Sequence, residues 1–139
     1  MCNGYGISSG IALRVLVVDD NVDAAESHAM LLKALGHTVH TAYGGVAAVF
    51  EARTFKPEVV LLDLDMPEVD GFETARQLRE LPDGAQATLV AVTGWGQADQ
   101  QRRTQAAGFD FHLVKPVEMG TLRDTLAEAT RETLTSGRP

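Results

Sequence analysis

Two carboxylates, Asp63 and Asp65, stand one residue apart where the apolar run Val59–Leu62 ends. A second pair, Asp19 and Asp20, closes the run Leu13–Val18. A hydroxyl, Thr93, followed by Gly94, closes the run in "ATLVAVTGW", and Lys115, followed by Pro116, closes "DFHLV". Gathered carboxylates repel one another and tend to take up protons. A hard divalent cation relieves that repulsion, and Mg²⁺ suits it, taking oxygen ligands from few carboxylates and several waters. A nearby lysine would balance more charge and sit well against the oxygens of a phosphoryl group, with a hydroxyl donor to complete the site. In such a setting a carboxylate can itself be the nucleophile, giving an acyl phosphate.

These residues form a site only if the fold brings them together. Short apolar runs such as "VVLL" read as strands buried on both faces, and each is followed by a longer stretch with helical spacing. "LRVLVV" is the first strand, and "DDNVDAAESHAMLLKALG" the first helix. Asn21 or Asp20 can cap that helix, Ala24, His28, Leu31, Leu32 and Leu35 share a face, and Gly36 stops it. "HTVHTA" is a second, weaker strand, and "GVAAVFEARTF" a second helix with Val46, Val49 and Phe50 as its apolar stripe. "VVLL", a loop with Pro67 and Gly71, and a helix over about 72–81 follow. "PDGA" is a turn, "ATLVAVTGW" the fourth strand and "QADQQRRTQAAG" a polar-faced helix. "DFHLV" is the fifth strand, and the last helix has Val117, Leu122, Leu126 and Ala129 in line. This βα unit repeated five times predicts a parallel α/β sheet with helices on both faces and right-handed crossovers. Ligands of such open sheets bind beyond the carboxyl ends of the strands, which is where every one of the polar groups falls.

Composition bounds the function. A chain of 139 residues, 45% hydrophobic and 22% charged, predicts one globular domain with a real core. A net charge of −7 disfavours a sequence-independent nucleic-acid binder, which needs a basic face. Cys2 is the only cysteine, so no internal disulfide forms, and the apolar runs are too short to span a bilayer. "MCNGYGISSG" lacks the basic and apolar regions of a secretory signal. The expectation is a cytoplasmic protein with no nucleic-acid or membrane partner. Residues 1–12 read as a flexible leader, 13–134 as the domain and 135–139 as a flexible tail. Gly4–Gly10 precedes the first strand and has the wrong spacing for a dinucleotide loop. His28, His37 and His40 have no zinc-ligand spacing with any cysteine pair, and the latter two read as strand-edge residues. Arg102 and Arg103 read as a solvated helix face or a partner surface.

The segments "VLVVDDN", "VVLLDLDMPEVDG", "VAVTGW" and "AAGFDFHLVKPV", in this order, resemble the response-regulator receiver domain of two-component signalling. The resemblance covers Leu13 to Leu134, and "FHLVKPVE" looks like receivers of hybrid histidine kinases. It implies a flavodoxin-like fold with strand order 2-1-3-4-5. It implies a phosphoryl group accepted from a histidine kinase or histidine phosphotransfer protein onto Asp63. Asp20 and Asp63 would bind Mg²⁺ directly, Asp19 through water, and Asp65 through its backbone carbonyl. Thr93 and Lys115 would take phosphoryl oxygens, and a cis bond would precede Pro116. The Asp65 side chain would be free to face the site mouth and tune the approach of water or phosphodonor. Two positions depart from the pattern. His112 stands where the family has a switching aromatic, and Trp95 lies two residues after Thr93. "DLDMP" also resembles haloacid-dehalogenase-like phosphohydrolases, with Asp63 as nucleophile and Asp65 as acid/base. Against that reading, two βα units precede Asp63, and the acidic pair Asp19–Asp20 stands at the front of the chain. A degenerate receiver that binds partners without phosphorylation is a third reading, but no residue needed for phosphorylation is missing.

Overall fold

In the computed structural model, residues 12–66, 71–82, 84–94 and 98–136 are described. The leader up to Ile11 with its glycine run, Pro67, Trp95 and residues 137–139 of the tail lie outside them.

The chain alternates β1 (Arg14–Val18), α1 (Val22–Ala34), β2 (Thr38–Ala42), α2 (Gly45–Phe55), β3 (Val59–Asp63) and α3 (Gly71–Arg79). Then come β4 (Thr88–Thr93), α4 (Ala98–Ala106), β5 (Phe111–Val114) and α5 (Met119–Ser136). All pairings are parallel and the sheet order is β2-β1-β3-β4-β5. This is the doubly wound, flavodoxin-like fold, with β3 and its Asp63 at the centre. A short 3₁₀ turn covers Gly84–Gln86, beginning within the "PDGA" stretch, of which Asp83 lies outside the described residues. Among the described residues no helix is long and apolar enough to cross a membrane.

The apolar runs are unbroken because each strand feeds two cores. Val15, Val17, Val59, Leu61, Val90 and Val92 pack on one face against Ala25, Ala29 and Leu32 of α1 and Leu122, Leu126 and Ala129 of α5. Leu16, Val18, Val60, Leu62, Leu89 and Ala91 pack on the other against Ala48 and Ala52 of α2 and Ala75 and Leu78 of α3. Covering both faces is what a parallel sheet requires, since its crossover helices sit on both.

One helix turns a different face inward from the one its large residues suggest. In α2 only Val49 of the stripe Val46–Val49–Phe50 packs against the core, half-buried, while Val46 is 86% and Phe50 74% exposed. Gly45, Ala48 and Ala52 are buried instead. In α1 the expected face is the inward one, with Leu32 buried and Ala24, His28, Leu31 and Leu35 half-buried, and Ala25 and Ala29 lie deepest beside Leu32. Small residues let a helix axis approach the sheet, whose own Leu and Val side chains already fill the space between. The capping expectations hold. Asn21 Oδ1 accepts from the Ala24 amide at 3.0 Å, and Gly36 ends α1 with φ +100°, a left-handed conformation suited to glycine. Gly71 opens α3 where an added Cβ would lie 2.5 Å from Leu64 Cδ2, so a larger residue there would have to displace that side chain.

Candidate functional site

The ladder hydrogen bonds run past the strand ends and carry the polar groups with them. The Asp19 amide donates to the Ala42 carbonyl (3.1 Å), the Leu64 amide to Val92 (2.9 Å) and the Lys115 amide to Thr93 (2.9 Å). Asp63 pairs with Val92 and Thr93 with Val114 in register. Residues distant in sequence thus meet at the carboxyl edge of the sheet. Asp19 and Asp63 are 3% and 4% exposed, and Asp20 is exposed.

Asp19, Asp20 and Asp63 each offer a carboxylate oxygen, all within 4.8 Å of one another. Burial pushes the Asp19 carboxyl up to about 6, and the neighbouring Asp63 adds to it, although the Asn21 amide, donating to Asp19 Oδ1 at 3.0 Å, pulls the other way. Lys115 Nζ lies 3.1 Å from Asp63 Oδ1. Partial burial opposes the ammonium charge, but the carboxylates of Asp63, Asp65 and Asp19 outweigh it and raise the lysine pKa. Three crowded hard oxygen donors, one of them reluctant to ionise, suit a small divalent cation such as Mg²⁺ and ill suit a soft one. The Lys115–Pro116 bond is cis.

Asp65 differs from expectation. Its side chain is not free at the site mouth. Oδ1 accepts from the Thr93 hydroxyl at 3.0 Å, Oδ2 accepts from the Gly94 amide at 2.8 Å, and Oδ2 also lies 3.4 Å from Lys115 Nζ. The Asp65 amide in turn donates to Asp63 Oδ1 at 2.8 Å. Sequence spacing places Asp65 beyond β3 but says nothing about which way its carboxylate turns, and only the packing of β4 beside β3 presents Thr93 and Gly94 to it.

His112, on β5, pairs with Ala91 across the ladder and is half-buried. Its Nδ1 lies 3.1 Å from the Thr104 hydroxyl of α4, which donates its own proton to the Gln101 carbonyl at 2.9 Å. Arg103 lays its guanidinium 4.7 Å over the Phe72 ring, tying α4 to α3. His28 is half-buried, its pKa lowered by burial and by the Lys115 charge. His37 accepts the Leu13 amide through Nδ1 (3.1 Å), and His40 stacks on Phe55 and bonds Glu51 at the sheet edge.

The family model of the response regulator receiver domain matches residues 15–127. The chain is 37% identical over 117 residues to the gliding motility regulatory protein of Myxococcus xanthus, covering 84% of this chain and 15% of that protein. It is 38% identical over 124 residues to the virulence sensor protein BvgS of Bordetella pertussis, covering 86% of this chain and 10% of that protein. The chain therefore spans a small fraction of the length of these curated relatives. Among solved structures, chemotaxis protein CheY4 of Vibrio cholerae is similar with a TM-score of 0.81 and 27% identity, covering 86% of this chain and 99% of that chain. The receiver domain of sensor histidine kinase PA1611 of Pseudomonas aeruginosa, described with a magnesium ion coordinated in its active site cleft, shares the fold (TM-score 0.76, 24% identity), covering 85% of this chain and 97% of that chain. The chain belongs to the response regulator receiver domain family. It is a signalling domain of two-component phosphorelays, and the phosphohydrolase alternative finds no support in any of these likenesses.

Proposed function

We propose that Asp63 accepts a phosphoryl group, in a Mg²⁺-dependent step, from the phosphohistidine of a histidine kinase or histidine phosphotransfer protein. A carboxylate oxygen of Asp63 attacks phosphorus in line. The P–N bond to the donor histidine breaks as the P–O bond forms, and the departing imidazole nitrogen takes a proton from water. Asp20 and Asp63 would hold Mg²⁺ directly, Asp19 through water, and the Asp65 backbone carbonyl would supply a further oxygen. When bound, the ion offsets the charge on the transferring phosphoryl group. Lys115 and the Thr93 hydroxyl then take phosphoryl oxygens. Slow hydrolysis of the acyl phosphate resets Asp63, so the chemistry is self-modification rather than turnover of a free substrate. The domain from Leu13 to Leu134 would act in the cytoplasm.

The observation that carries this reading is the meeting of three carboxylates within 4.8 Å with Lys115 Nζ 3.1 Å from Asp63. The output would pass through Thr93 and His112 to a surface formed by α4, β5 and α5. The contact of His112 with Thr104 supports that route, because it links β5 to the helix that follows Thr93.

The test is intact mass after incubation with a small phosphodonor. One phosphoryl group should be gained with Mg²⁺, none without it, and none in Asp63→Asn. Consumption of donor with no adduct would return the phosphohydrolase reading. Neither adduct nor consumption, with a phosphohistidine donor tried as well, would leave a binding module that does not use phosphorylation.

A further inference from the structure

We infer that the Asp65 carboxylate is an internal anion that occupies the phosphoryl-oxygen donors of the resting site and must be expelled for phosphorylation to complete. The inference rests on the phosphoacceptor reading above and concerns the regulation of that same site.

Three donors of different kinds converge on this one side chain. The Thr93 hydroxyl meets Oδ1 at 3.0 Å, the Gly94 amide meets Oδ2 at 2.8 Å, and the Lys115 ammonium lies 3.4 Å from Oδ2. A carboxylate and a phosphoryl group make the same demand, for charge-assisted hydrogen bonds to oxygens held by fixed donors. The Thr93 hydroxyl has one proton to give, and it points at Asp65. A phosphoryl group on Asp63 can take that proton only if Asp65 releases it. Lys115 stands between the two, 3.1 Å from Asp63 and 3.4 Å from Asp65, so its charge is divided before any phosphoryl group arrives.

The displaced carboxylate has somewhere to go. The Asp65 side chain is 28% exposed, so it can turn into water, while its backbone N–H keeps its hydrogen bond to Asp63 Oδ1. The exchange is thus local: one rotamer leaves, one dianion arrives, and Thr93 and Gly94 change partner. A resting site filled in this way is also held in one conformation, since Asp65 bridges the end of β3 to the β4–α4 connection. The phosphoryl group therefore competes against an occupant, and the balance between the two sets how readily the domain switches.

The test compares the full chain with Asp65→Ala and Asp65→Asn. Beryllofluoride, which forms a tetrahedral phosphoryl mimic on a carboxylate, is titrated at saturating Mg²⁺ for each. Removing the competitor should tighten its binding by about tenfold in Asp65→Ala, the factor that one charge-assisted hydrogen bond carries. The gain should be smaller in Asp65→Asn, which keeps the shape and one acceptor. In metal-free protein the Gly94 amide resonance should move upfield and exchange faster in Asp65→Ala, a readout independent of the mimic.

Each contrary outcome is distinct. If Asp65→Ala binds the mimic no more tightly than the parent, the inference is overturned while the receiver reading stands, because the adduct still forms on Asp63. If the gain is present at low salt but vanishes at about 1 M, where the screening length is about 3 Å, general charge repulsion is responsible and the contact is not. If neither parent nor variant takes up the mimic or gains phosphoryl mass, the phosphoacceptor reading itself falls.

Discussion

Asp19 is a buried carboxyl beside another carboxyl, and the two effects point the same way. Burial and the proximity of Asp63 both make its charge costly, and its carboxyl is pushed up to about 6. In metal-free protein that residue stores unfavourable free energy. Asp19→Asn keeps an oxygen for the Asn21 amide, which now bonds Asp19 Oδ1. It should stabilise the metal-free protein at neutral pH by on the order of 1 kcal/mol, read from urea unfolding, and weaken Mg²⁺ binding in the same variant. A variant equally unstable without metal would show that the crowding is relieved by other means. The site residues themselves were legible in the sequence because each ends an apolar run. The Asp65 side chain was not, because its partners lie on β4 and the direction of its carboxylate is a rotamer choice.

At the scale of the elements, α2 separates large residues from buried ones. Phe50 is exposed and Ala48 is fully buried against the sheet. Phe50→Ser should therefore change stability by no more than about 0.5 kcal/mol, whereas Ala48→Leu should cost roughly 1–3 kcal/mol by overpacking. Comparing denaturant midpoints of the two variants checks which face is inward. The β1 and β2 ends are joined by His37, whose Nδ1 accepts the Leu13 amide and must be neutral at that nitrogen to do so. Burial lowers its pKa below the ordinary 6.5. The unfolded chain then takes the proton first as pH falls, so the stability His37 supplies is complete above about 6.5 and lost below it. His28 acts in the same direction. His37→Asn offers a non-titrating acceptor, so its stability should fall less steeply than the parent's between about pH 7 and pH 5, measured as urea midpoints. Parallel slopes would remove His37 from the account.

For the whole molecule, the two cores are built independently of the site, and the site crowds like charges at one edge of the sheet. Any cation held by those carboxylates binds the folded chain alone and stabilises it by mass action. Mg²⁺ at about one hundred times its dissociation constant should add about 2.7 kcal/mol, seen as a rise in Tm that a chelator reverses. The rise should be absent in Asp63→Asn combined with Asp20→Asn. A rise that survives in that double variant would place the cation elsewhere.

The sequence by itself determined the order of strands and helices, the double-sided burial of the sheet and the placing of Asp19, Asp20, Asp63, Thr93 and Lys115 at strand ends. Those features are written in local periodicity, where an unbroken apolar run can satisfy only a strand covered on both faces. The tertiary structure alone decided that α2 turns Ala48 and Ala52 inward and leaves Val46 and Phe50 outside. It also decided that His112 meets Thr104, and that Asp65 holds Thr93 and Gly94. These depend on how closely a helix can approach the sheet and on which donors the neighbouring strand presents. Both are set by contacts between residues far apart in the chain, which no local pattern encodes.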